Sequence, residues 1–274
     1  MERPEPPTDV LTPLIAGATD LCDAGTKLID ALRSNGGTGA TLPESTVVRL
    51  HFVAASTYRS GILCLWMAET SLASYSLIRG LLEIWAHLTF IERDSFGGSA
   101  ACRALRYERG AMSEWSSSLK KAPGYYDSAS WQASHDEKKN DIDGLWRDLE
   151  CTGAPRTRNH VKQTLDLLAK ESNMEWIPGM WSASSASTHA YGVDFMMDSS
   201  KGETEFVWAS PSQRASWFAF TVATFAYLTV TAAGILSSGD VRIASFHGRA
   251  RELLDDNVLR RIARHEFDAR AGTE

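Results

Sequence analysis

Arg79, Glu83 and His87 follow one another at four-residue steps in a chain of 274 residues. In a helix that spacing stacks side chains on one face, where neighbours touch. These residue types can do chemistry together. A guanidinium holds a carboxylate or phosphate through two parallel hydrogen bonds. A carboxylate beside an imidazole sets its tautomer and raises its pKa. Much later in the chain, Ser185 and His189 repeat the four-residue step. Glu83 and His189 read as the candidate catalytic pair. Arg79, His87 and Ser185 read as the candidate substrate-binding set.

The first three residues need a helix to hold them, and SLASYSLIRGLLEIWAHLTFIERD (71–94) has the pattern of one. It lacks proline, and its one glycine, Gly80, lies between strong helix formers. At 100° per residue, Tyr75, Leu77, Ile78, Leu81, Leu82, Ile84, Trp85, Leu88 and Ile91 cover a broad apolar arc. Ser76, Arg79, Gly80, Glu83 and His87 fall on a narrow polar stripe. A helix apolar over most of its circumference is buried on most sides. The stripe then faces water through a gap or faces an internal pocket.

The rest of the chain supplies the packing partners. Residues 1–9 read as a disordered Pro-rich leader, and 10–274 as a single helical domain. Helical periods cover Val10–Arg33 and a long run opening at Glu44 and Ser45. A kink or turn near Met67–Thr70 would fold that run back onto the central helix as a hairpin. Ala101–Lys121 is amphipathic, and Ser128–Glu150 carries a charged, solvated insertion near 125–150. His160–Glu171 is a short helix, Trp176–Gly179 breaks the pattern, and a Ser/Ala-rich segment follows at 180–192. Residues 196–212 read as loop with a small hairpin around Lys201 and Gly202. Pro211 suits the first turn of the next helix. Val241–Arg270 closes the chain as a last helix or helix pair. No internal repeat is visible, and no strand-period run is long enough for a sheet. The expected fold is all-α, a multi-helix bundle built around a central buried helix at about 71–94.

Composition bounds the function. A formal net charge of -6 does not suit non-specific nucleic-acid binding, which runs on phosphate neutralisation. Cys22, Cys64, Cys102 and Cys151 are scattered without a C-x-x-C pair, so reduced thiols in a cytoplasm are expected. The start of the chain lacks the basic and apolar regions of a signal peptide. Ala215–Leu236 is long enough to span a bilayer. Its threonines and the missing basic flanks favour a buried helix, so no membrane partner is expected. Glu83 and His87 have metal-site spacing, but no second carboxylate–histidine pair accompanies them. Asp141, Asp143, Asp255 and Asp256 form no aspartate-rich magnesium motif. There is no G-x-S-x-G, Walker loop or dinucleotide fingerprint. Neither a metal nor a cofactor is expected.

Tyr58–Asp94 and Trp181–Gly192, in this order and separation, resemble a bacterial family of all-helical proteins defined by a domain of unknown function. In that family a hairpin ends in an Arg-x-x-x-Glu helix, matched here by Arg79 and Glu83. A later helix carries Ser-x-x-x-His, matched by Ser185 and His189. The resemblance spans roughly residues 45–240 and implies a helical fold with a shared polar centre, not an activity. The insertion near 125–150 departs from it. A second resemblance lies in the last helix, where Arg242/His247 and Arg260/His265 both read Arg-x4-His. That spacing is similar to the signature of HEPN-type ribonucleases of toxin and phage-defence systems, and it implies RNA as a partner. Under that reading cleavage would run through His247 or His265, not His189.

The leading expectation is a small-molecule ligand at the Arg79/Glu83/His189 centre, with the assembly open to a homodimer. Its alternatives are the ribonuclease and a structural or interaction module.

Overall fold

The computed structural model describes residues 8–35, 41–67, 71–121, 128–156, 158–172, 174, 176–188, 197–198, 205–206 and 211–254. The described chain is all-α: α1 (Thr8–Asn35), α2 (Leu42–Met67), α3 (Ser71–Glu92), α4 (Ala100–Lys121), α5 (Ser128–Asp148), α6 (Arg158–Ser172), α7 (Trp176–Thr188), α8 (Pro211–Leu236) and α9 (Val241–Leu253). The one strand pairing described is antiparallel, β1 (Met197–Asp198) with β2 (Glu205–Phe206), in the register Met197↔Phe206. It flanks the Lys201–Gly202 position of the expected hairpin. The first helix starts at Thr8, two residues ahead of the expected start. The second half of the expected last helix lies outside the described residues.

From Ile78 to Ile91, α3 is buried except for Arg79, Gly80 and Glu83. It packs against α2, α4, α6, α7 and α8. A Cβ on Gly61 of α2 would meet the Leu77 side chain of α3 at 2.3 Å, so the two helices approach closely there. Trp85 stacks on Tyr227 of α8 at 5.4 Å between ring centroids, and its Nε1 donates to Thr231 Oγ1 at 3.1 Å. The α8 threonines that break up the apolar run are satisfied within the protein. Thr221, Thr224 and Thr231 each donate to the carbonyl four residues back. Trp217–Leu236 is long and apolar enough to cross a membrane, and half of it is buried among its neighbours. Those neighbours are α1, α2, α3 and α9.

One polar contact in this core gives the fold a pH dependence. His51 of α2 is buried and shares a hydrogen bond with Thr229 Oγ1 at 3.1 Å. Burial lowers its pKa to about 4. The unfolded chain takes up a proton near pH 6.5 that the folded chain refuses until about pH 4. This share of stability is complete above pH 6.5 and falls as pH drops toward 4, by about 3 kcal/mol. Urea unfolding at both ends of that window is expected to show His51→Phe losing about 3 kcal/mol less than wild type. Equal acid losses in the two proteins would sink the assignment.

The α5 helix packs chiefly on α4 and otherwise meets water. Lys138 lies 3.4 Å from buried Glu108 of α4, which also pairs with Arg49 and accepts from Thr46 Oγ1 of α2 at 3.1 Å. A disulfide joins Cys102 in the first turn of α4 to Cys151 just past α5, with Cα atoms 5.4 Å apart. This corrects the expectation of reduced thiols for those two residues. Their 49-residue separation hid a proximity that only the return of α5 along α4 creates. A smaller apolar cluster of Leu105, Met112 and Ile142 forms around the disulfide, apart from the main core.

A second correction concerns Trp176–Gly179, expected to interrupt the helix. These residues open α7 instead. Pro178 sits in the first turn, where its missing N–H has no intrahelical partner to lose.

Candidate functional site

The four-residue step on α3 does what its spacing implies. Arg79 Nε donates to Glu83 Oε1 at 2.9 Å. The Arg79 side chain is only 15% exposed and that of Glu83 37%, so the pair stands at the edge of the core. Arg79 also lies over the Trp181 ring of α7, with Cζ 5.8 Å from the centroid. The helix bearing Ser185 is thus packed beside the Arg-x-x-x-Glu stripe. His189 lies outside the described residues.

His87 continues the stripe inward. It is buried, and its ring meets Tyr107 of α4 at 5.1 Å. Burial, then the nearby Arg156 charge, hold its pKa well below the ordinary value, so the imidazole is neutral at pH 7. Burial and the Glu108 charge push the Tyr107 phenol up.

Arg156 is the member that sequence reasoning missed. It lies in the loop between α5 and α6, and only 8% of its surface is exposed. Its backbone is pinned to α4: Arg156 N donates to Arg106 O at 2.9 Å. Its carbonyl oxygen rests where a Cβ on Gly110 would come within 2.6 Å, so only glycine admits the loop there. Its guanidinium reaches over Tyr107, with Cζ 5.5 Å from the ring. Burial lowers its pKa, and the charges of Glu114, Tyr107 and Glu83 oppose that shift. No periodic signal marks Arg156 within CTGAPRTRN, because its position comes from how the loop crosses α4.

Arg79, Glu83, His87, Tyr107 and Arg156 therefore form one electrostatic cluster between α3, α4, α7 and the loop before α6. Glu83 answers Arg79 directly, whereas its influence on Arg156 is only Coulombic. Two buried donors in the region, Arg156 Nε and Trp181 Nε1, have no hydrogen-bond partner among the described residues. Leaving a buried donor unmatched costs on the order of 1–3 kcal/mol, more for a charged group. An incoming anion with several acceptor oxygens would match the donor on Arg156. Among the described residues, no three His, Cys, Asp or Glu side chains gather as metal ligands would.

The Arg-x4-His residues of α9 are arranged differently. Arg242 is folded back on the N-cap of its own helix, its Nε and Nη2 donating to Asp240 at 2.9 and 2.7 Å. His247 lies against the Tyr227 ring, 5.9 Å between centroids. Residues five apart on a helix also diverge by about 140°. Arg260 and His265 lie outside the described residues.

No family model matches this chain, and no curated protein or solved structure is significantly similar to it.

Proposed function

We propose that this protein binds a small anionic molecule, a carboxylate or phosphate, at the Arg79/Glu83/His87/Tyr107/Arg156 cluster. The observation that carries the reading is Arg156, a buried cation whose Nε meets no acceptor among the described residues. Arg79 would take a second ligand oxygen while Glu83 holds it in place. Neutral His87 and the Tyr107 phenol would offer directional hydrogen bonds without adding charge. Glu83 is also the group best placed to move a proton on a bound ligand, because it is partly exposed at the rim.

The test is a melting-temperature screen against small mono- and dicarboxylates and phosphomonoesters. At least one member is expected to stabilise wild type. That shift is expected to disappear in Arg156→Gln and to shrink in Arg79→Gln, whose partly exposed position makes it the safer variant for folding. A panel without effect on wild type, or a shift that survives both substitutions, defeats the proposal.

A further inference from the structure

A cleft of about 500 Å³ opens between α4 and α5, and none of Arg79, Glu83, His87, Tyr107 and Arg156 lines it. Its size falls in the range of about 300–1,000 Å³ usual for small-molecule sites. One wall is a single face of α4, in which Arg109, Ser113, Ser116, Ser117 and Lys120 recur at helical spacing. The facing wall is α5, with His135, Lys139 and Asp143. Met112, Ile142 and Pro155 supply the apolar surface.

The charge balance is unusual for so acidic a chain. Three cations line the cleft against one carboxylate. Arg109 answers that carboxylate, Asp143, at 3.3 Å, and is held over the Trp146 ring at 4.5 Å. Neither Lys120 nor Lys139 forms an ion pair among the described residues; Asp136, paired with His135, feels Lys139 only as a distant charge. Two ammonium groups are thus left over beside three hydroxyls. The two walls meet at His135, which is buried, with Nε2 3.4 Å from Met112 O and its ring 5.5 Å from that of Trp115.

We infer that this cleft binds a small phosphoryl compound, with Lys120 and Lys139 on the phosphoryl oxygens and the serines donating beside them. Ammonium point charges and hydroxyl donors suit a group that presents three acceptor oxygens in several directions. The apolar surface suits a ring or chain attached to the phosphate. Along α4, Arg109 and Lys120 stand roughly 16 Å apart, so a ligand of small-molecule length is contained between them.

The experiment is isothermal titration with inorganic phosphate and phenyl phosphate, using wild type, Lys120→Gln/Lys139→Gln and Arg156→Gln. Both lysines are solvent-exposed, so the double variant is expected to fold. Phenyl phosphate is expected to bind wild type more tightly than inorganic phosphate. The double lysine variant is expected to weaken it about tenfold or more, and Arg156→Gln to leave it unchanged. Absence of phenyl phosphate binding below about 10 mM overturns the inference. So does binding that survives the double substitution, binding lost only in Arg156→Gln, or phenyl phosphate binding no tighter than phosphate.

Discussion

Replacing Arg103 by methionine is expected to lower folding stability by about 3–5 kcal/mol. Arg103 is 1% exposed and sits in the first turn of α4. Its guanidinium closes the end of α3. Nε donates to Ile91 O at 2.8 Å and Nη2 to Glu92 O at 3.2 Å, and Nη1 bonds Gly98 O. Asp94 Oδ1, 2.9 Å from Nη2, balances the charge. The last carbonyls of a helix have no intrahelical donor, and here one side chain serves two of them and a turn carbonyl. Methionine fills much of the volume but leaves three acceptors without that donor. Arg103→Lys is expected to recover little, since a single ammonium cannot reproduce the planar fork. Urea midpoints at unchanged m-value give the loss directly. A loss below about 1 kcal/mol for Arg103→Met would show that water takes over these carbonyls.

The helix-closing role of Arg103 was not legible in the sequence, and the reason is general to this chain. Features set by local spacing can be read from residue order. The helical periods, the Arg79–Glu83 pair, Pro211 in the first turn of α8 and the hairpin flanking Lys201–Gly202 all depend on residues a few positions apart. Pro178 shows the limit even there, because a proline marks the start of a helix as readily as its end. Features made by distant segments carry no period. Arg156 reaches His87 and Tyr107 only because its loop crosses α4 at Gly110. Tyr107 lies on the amphipathic Ala101–Lys121 helix, whose period implies a buried face but not which segment covers it. The α4–α5 cleft depends on how two helices pack, so the serines and lysines that line it read singly as surface residues.

The Cys102–Cys151 pair belongs to this non-local group, and breaking it is expected to destabilise the protein by about 4 kcal/mol on the chain-entropy estimate. The bond closes a 49-residue separation that contains most of α4 and all of α5. Without it, the unfolded chain regains the freedom of that loop. In the folded chain, α5 would be held to α4 by the Lys138–Glu108 and Arg109–Asp143 pairs and by the small cluster around Met112 and Ile142. Arg109–Asp143 is partly exposed and Lys138–Glu108 has its lysine end in water, so each contributes modestly and much of the α5 attachment rests on the covalent link. A first measurement is the thiol count of denatured, unreduced protein. Two reactive thiols of the four cysteines are expected, leaving Cys22 and Cys64. Four would mean that the chain works in its reduced form, as a cytoplasmic setting favours. A second is the stability of Cys102→Ala/Cys151→Ala against oxidised wild type. The loss should match that produced by reducing wild type, because both remove the same constraint from the unfolded state. A double variant as stable as the oxidised protein would show that packing alone fixes α5 on α4.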